Sequence, residues 1–161
     1  MFWAAFSGYP RKTGLIPLFG DPNSARGGVN RFVIHDLYQR MLPTLLANND
    51  GIFQHDNAPT HTARIVRDLL QELGIEVMEW PPYSPDLNPI ENLWALLKAE
   101  IMKLRPDLKT MHNNDSTWEI LLETAQIAWE NLDWNHFVHL AETMPHRVAN
   151  IIKYEGWYTS Y

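Results

Sequence analysis

The chain has 161 residues, 45% of them apolar, which is enough for a core of its own, and it has no Cys, which excludes disulfides and thiolate metal sites. No apolar run reaches the roughly 18 residues of a membrane span. The net charge of −6 is uneven: residues 1–50 carry five Lys/Arg and three Asp, residues 51–161 eight Lys/Arg and sixteen Asp/Glu. Affinity for nucleic acid depends on Lys and Arg meeting phosphate, so a chain this acidic is expected to bind DNA weakly by itself.

In chain order, residues 2–7 and 15–19 are short runs rich in β-formers, and residues 11–14 between them predict a hairpin turn. Residues 24–30 form a Gly-rich loop. Phe32, Val33, Leu37, Met41 and Leu45 repeat at helical spacing, with Pro43 bending or ending that helix. Residues 51–56 predict a buried strand. Ala63, Val66, Leu69, Leu70 and Leu73 make a helix face stopped by Gly74, and residues 75–80 alternate as a second strand. Ile90, Leu93, Trp94, Leu97, Ile101 and Leu104 form the cleanest amphipathic stripe. Beyond Pro106, Trp118, Leu121, Leu122, Ala125, Trp129 and Leu132 mark another helix. Phe137, Leu140 and Ala141 mark a further one that ends near Met144-Pro145. The tail is expected to be helical from His146 and irregular after Gly156. Strands alternating with helices imply a layered α/β sheet followed by helices. One domain is expected over 1–161, with an α/β core at 1–105 and a helical part at 106–161.

Two acids stand out. Asp56 falls at the carboxyl end of the strand at 51–56, the edge that ligands favour in open α/β sheets. It also precedes Asn57-Ala58-Pro59, and on the residues alone an Asx turn is the plainer account of it. Glu91 opens the stripe-bearing helix. With Asn88 as N-cap and Pro89 at the first helical position, it reads either as a capping-box residue or as a cleft-facing carboxylate. The 34 residues between them hold one helix and one strand, a length that can bring both acids to one end of a sheet beside a hard divalent cation. The prolines of 80–89 stiffen the approach to Glu91. His55 and His61 invite a zinc reading, but their spacing is not helical i,i+4 and no Cys completes a set. His61 instead reads as a helix-start residue capped by Thr60, or as a contact to Asp56 or to substrate phosphate. Lys98 and Lys103 read as solvated lysines or as phosphate contacts.

The segments HDNAPTHTA (55–63) and WPPYSPDLNPIENLW (80–94) closely resemble the catalytic domain of mariner-superfamily transposases, the DDE group. Residues 1–7 look like that family's strand V-M-V-W-G-x-F-S. Thr143-Met144-Pro145-x-Arg147, Gly156 and Tyr161 resemble its C-terminal helix and ending. The resemblance covers nearly the whole chain. It implies a ribonuclease-H-like mixed sheet flanked by helices, and an endonuclease that cleaves and joins DNA in transposition and integration. Asp56 and Glu91 become the second and third acids of a catalytic triad, both catalytic and metal-binding, at a spacing found in one major branch. Asn57, His61, Asn88 and Asn92 become contacts that orient those acids or touch substrate. Mg²⁺ or Mn²⁺ in a two-metal arrangement is the implied cofactor. Transposon-end DNA is the implied partner, with a homo-oligomer or a full-length transposase beside it, no membrane, and a nuclear location (cytoplasmic in a prokaryotic host).

The family's first acid lies in a strand before the one that starts at Met1. Asp21, Asp36 and Asp50, the acids ahead of Asp56, do not match its motif. The family's N-terminal helix-turn-helix region has no counterpart here either. The resemblance therefore implies a truncated catalytic domain without its first central strand, inactive in transposition alone. Three classes follow: an enzyme completed by an upstream segment, a non-catalytic remnant serving as a protein-binding or dimerisation module, and a fragment without a selected role.

Overall fold

The chain folds as two units, one made of residues 1 and 18–85, the other of residues 2–17 and 86 onward. The structure, a computed structural model, describes residues 1–8, 11–25, 27–47, 51–81 and 84–154. Asp50, two residues of the proline-rich connector and the expected irregular tail lie outside the described residues.

In the first unit, α1 (Arg31–Leu45) starts at Asn30, whose Oδ1 accepts from the amides of Phe32 at 2.9 Å and Val33 at 3.2 Å. The Asn30 amide also donates to Asp21 at 2.7 Å, tying the Gly-rich loop to the helix start. The buried face of α1 is Ile34, Leu37, Tyr38 and Leu42, a step round from the expected stripe, and Phe32 is left 50% exposed. Two apolar phases compete on this helix. The one adopted packs α1 on α2 (Arg64–Glu72) and sets Tyr38 edge-on against Phe53, ring centroids 5.3 Å apart. Pro43 stays inside the helix, within its last turn. Val66, Leu69 and Leu70 of α2 are buried, and Gly74 ends the helix with φ +66°. The Ile75 amide reaches back to the Leu70 carbonyl at 2.9 Å, the long bond of a Schellman cap that needs a left-handed residue at Gly74.

The strands expected at 51–56 and 75–80 meet at a single parallel bridge, Phe53 with Val77. Phe53 accepts from Met78 and donates to Glu76, both at 2.8 Å, and among the described residues pairing goes no further. Parallel pairs are slightly weaker per residue than antiparallel ones, and two strands alone are marginal. Ile52, expected inside, is 52% exposed.

In the second unit, β1 (Phe2–Trp3) and β2 (Ile16–Pro17) pair antiparallel, with a bridge between Phe6 and Lys12. Residues 11–14, expected to turn, belong to the returning arm. Thr13 pairs with Ala5 through backbone and Oγ1 bonds of 2.8 and 2.9 Å, which places it in a paired arm and not in a turn. Then come α3 (Ile90–Leu104), α4 (Asp115–Asn131), α5 (Trp134–Glu142) and α6 (Met144–Lys153). α3 packs on α4 and α5, and α5 on α6. Leu93, Leu97 and Ile101 are buried as the stripe implies, against Ala125, Ala128 and Trp129 of α4. Trp129 has no exposed surface, and its indole nitrogen donates to the Thr13 carbonyl at 2.8 Å. Lys12 donates to the Trp129 carbonyl at 3.2 Å and sits 5.2 Å from the Phe137 ring centre. The hairpin is thereby fastened to α4 and α5. Among the described residues no helix is long and apolar enough to cross a membrane.

Trp129→Ala is expected to cost about 4 kcal/mol in urea unfolding, the range for removing a large buried aromatic. Trp129→Phe keeps a ring but orphans the Thr13 carbonyl, and is expected to cost about 1–3 kcal/mol. A Trp129→Phe protein as stable as wild type would show that the indole hydrogen bond contributes nothing.

Candidate functional site

Asp56 follows the Phe53 bridge by three residues and is exposed. Its Oδ1 accepts from the Ala58 amide at 3.0 Å, closing the Asx turn, and from His61 Nδ1 at 2.5 Å. Among the described residues Oδ2 has no hydrogen-bond donor, so one oxygen holds the turn and the other faces no protein partner. The Asn57 side-chain amide donates to the Trp80 carbonyl at 2.6 Å, joining the turn to the end of the second extended segment.

His61 does not begin a helix. Its amide and that of Thr62 both bond to the Ala58 carbonyl, at 2.8 and 3.0 Å, so it lies in a tight turn stiffened by Pro59. α2 starts three residues later behind Ala63, so Thr60 is not its cap. The turn swings the His61 ring back over Asp56 and stacks it on His55, centroids 5.4 Å apart, and on Tyr38, 6.0 Å apart.

The Tyr38 hydroxyl lies 3.2 Å from His55 Nδ1. Burial, and next the Asp56 carboxylate, push the Tyr38 hydroxyl above its ordinary range, so it keeps its proton. Burial and then the neighbouring His61 push His55 down to about 4, against the opposing pull of Asp56. From these directions we assign Tyr38 as donor to Nδ1 of a neutral His55. Nδ1 of both imidazoles is thus engaged by a side chain. Asp56, Asn57 and His61 come together with Tyr38 and His55 in the first unit; Tyr38 was not a candidate from sequence, and His55 was considered there only as a zinc ligand.

Asn88, Glu91 and Asn92 lie together in the second unit, at the start of α3. Helical structure begins at Ile90, one position beyond the expected Asn88–Pro89 start. Asn88 Oδ1 still faces the Ile90 amide at 3.4 Å, a long bond, and its carbonyl accepts from Glu91 at 3.1 Å. Glu91 is exposed in the first turn, where a carboxylate complements the helix dipole. Asn92 faces inward. Its Oδ1 accepts from Arg147 at 2.8 Å, and it lines a groove of about 370 Å³ with Ala95, Leu96, His136, His139 and Leu140. Lys103, read from sequence as solvated or phosphate-facing, is exposed and paired with Glu100 at 3.0 Å. Among the described residues no cluster of three or more His, Asp or Glu is arranged to hold a metal.

A sequence profile of the DDE superfamily endonucleases matches residues 8–112, which include Asp56 and Glu91. The chain belongs to the DDE superfamily endonucleases. Its similarity to the Tc1 branch is direct. It is 30% identical over 164 residues to the transposable element Tcb1 transposase of Caenorhabditis briggsae, covering 100% of this chain and 54% of that protein. This DDE chain thus spans about half the length of the curated relatives it matches. Among solved structures it is similar to the Mos1 transposase catalytic domain with Raltegravir and Mn, with a TM-score of 0.61 and 24% identity over 99% of this chain and 82% of that one. It is also similar to the Mos1 transposase paired-end complex with the left transposon end, with a TM-score of 0.62 and 24% identity over 93% of this chain and 41% of that one. These likenesses show the ribonuclease-H-like fold expected from the motifs, in a helix-rich form with a small two-stranded sheet.

The depressed His55 makes stability depend on pH. The unfolded ring takes a proton near 6.5 and the folded ring only near 4. Between those values the unfolded state holds more protons, so this contribution is complete above 6.5 and is lost as pH falls toward 4. Each unit is worth about 1.4 kcal/mol, and solvent screening at the ring's open edge brings the expected loss to about 2 kcal/mol. Metal-free urea unfolding of wild type and His55→Gln across this window checks it. Parallel pH profiles for the two proteins would rule out the buried neutral ring.

Proposed function

We propose that this chain supplies part of the catalytic core of a metal-dependent DNA transposase, with Asp56 and Glu91 as two of the carboxylates that hold Mg²⁺ or Mn²⁺. The observation that carries this is the family match, which takes in both acids. The donor chemistry fits, because both carboxylates are exposed hard-oxygen ligands and Asp56 keeps Oδ2 clear of protein donors. When bound, such cations activate the attacking oxygen and stabilise the leaving oxygen of an in-line phosphoryl displacement.

The chain's own residues have separate tasks in this reading. His61 and the Ala58 amide hold Asp56 through Oδ1, so the carboxylate enters the reaction already oriented. Asn57 keeps that turn docked on the Trp80 carbonyl. The first turn of α3 presents Glu91 from a rigid element, with Asn88 and Asn92 flanking it. The Mn and transposon-end complexes of Mos1 support the choice of cofactor and of DNA as substrate, with paired ends as the assembly. DNA binding by these 161 residues alone is expected to be weak, given the net charge of −6. A second reading, a non-catalytic protein-binding or dimerisation module, is favoured by the exposed apolar side chains of α6, Val148 at 46% and Ile152 at 74%.

Asp56→Asn and Glu91→Gln are each expected to weaken Mn²⁺ binding by at least tenfold in titration calorimetry, as removal of a charged ligand requires. Unchanged affinity in both variants would overturn the assignment. With two of the three acids, the 161 residues alone are expected not to nick transposon-end DNA in Mg²⁺. Nicking in a gel assay would show that the acids present suffice.

A further inference from the structure

We propose that Arg147 is a positioning residue for the end of α3 that carries Glu91. The inference rests on the reading of Glu91 as a metal ligand and adds a residue that acts through Asn92.

Arg147 is 2% exposed and is the one fully buried charged side chain among the described residues. Arginine is almost never buried to this degree without partners. Its Nε donates to Thr143 Oγ1 at 2.9 Å, and its Nη2 donates to Asn92 Oδ1 at 2.8 Å, across 55 residues of sequence. Thr143 Oγ1 donates in turn to the Leu140 carbonyl at 2.6 Å. A continuous line of hydrogen bonds therefore runs from the end of α5, through the planar guanidinium, to the residue after Glu91. A guanidinium fixes direction as well as distance, because its donors lie in one rigid fork.

Helix stability does not account for this arrangement. A cation beside a helix N-terminus opposes the dipole, and a buried ion carries a large desolvation cost. Pro89 offers no side-chain cap, and the Asn88 bond to Ile90 is long. Asn92 and Glu91 are consecutive in one helical turn, so holding the first fixes the backbone from which the second projects. Partners that orient metal ligands commonly change affinity by 10–100-fold when removed.

The test uses the 161-residue protein with Arg147→Lys, Asn92→Ala and Glu91→Gln. Amide hydrogen exchange in metal-free protein reads the first turn of α3, and Mn²⁺ titration well below the melting temperature reads its consequence. Asn92→Ala breaks the same bond from the other end, and so keeps the test open if an Arg147 variant fails to fold. The expected result is faster exchange at the Glu91 and Asn92 amides, by about tenfold, with that of Ile101 unchanged, together with Mn²⁺ affinity about tenfold weaker. Unchanged exchange at Glu91 and Asn92 would overturn the inference. So would faster exchange with wild-type Mn²⁺ affinity, if Glu91→Gln still weakens binding, because Arg147 would then be structural alone. Wild-type affinity in Glu91→Gln would instead overturn the metal-site reading itself, and the inference with it.

Discussion

Burying an indole N–H, a phenol and a guanidinium obliges the chain to bring each of them a partner, and much of the architecture follows from that requirement. An unsatisfied buried polar group costs about 1–3 kcal/mol, a large part of a domain's net stability. Among the described residues no buried side-chain nitrogen or oxygen lacks a partner. Trp129 draws in the Thr13 carbonyl, so the hairpin docks on α4. Tyr38 draws in His55, so α1 fixes the segment leading to Asp56. Arg147 draws in Asn92 and Thr143, so α6 and the end of α5 reach the start of α3. In each case a helix core supplies the burial and the polar atom selects the neighbour.

The same logic separates two roles within Asp56. Turn formation and ligand binding compete for a carboxylate only if both need the same oxygen. Here the Asx turn and His61 share Oδ1. The two readings of Asp56 available from sequence, turn former and ligand, are therefore compatible in one side chain. The proline-rich approach to Glu91 has a parallel economy. Asn88 contributes to the helix start while Glu91, a turn later, stays exposed.

The helices were legible because their apolar spacing is regular and their stops are chemical. α2 ends at Gly74 because only a left-handed residue completes its cap, and α3 buries Leu93, Leu97 and Ile101 as its stripe implies. The stripe of α1 was misread by one step, since Phe32 and Val33 offer a competing phase that only the packing of Tyr38 resolves. The strands were overread. Apolar β-formers at 51–56 and 75–80 announce extended chain, but a ladder depends on neighbours that local sequence does not specify. At the candidate site the acids were visible through motif and spacing. Tyr38, His55 and Arg147 were not singled out for their contacts, because each acts across 17 or more residues of separation or through ring stacking. The Ile34–Leu37–Tyr38–Leu42 spacing was a signal that could have placed Tyr38 inside. No comparable periodicity marks Arg147.

The bond between Trp129 and Thr13 closes over 116 residues of chain. During synthesis at about 5–20 residues per second, the hairpin would leave the ribosome roughly 6–20 seconds before the indole that fastens it. Through that interval Phe2 and Phe6 lack the aromatic rings of α4 and α5 that later cover them. The nascent chain thus passes through a stage in which these hairpin rings are open to chaperones or to another copy, and slowing translation ahead of α4 would lengthen that exposure.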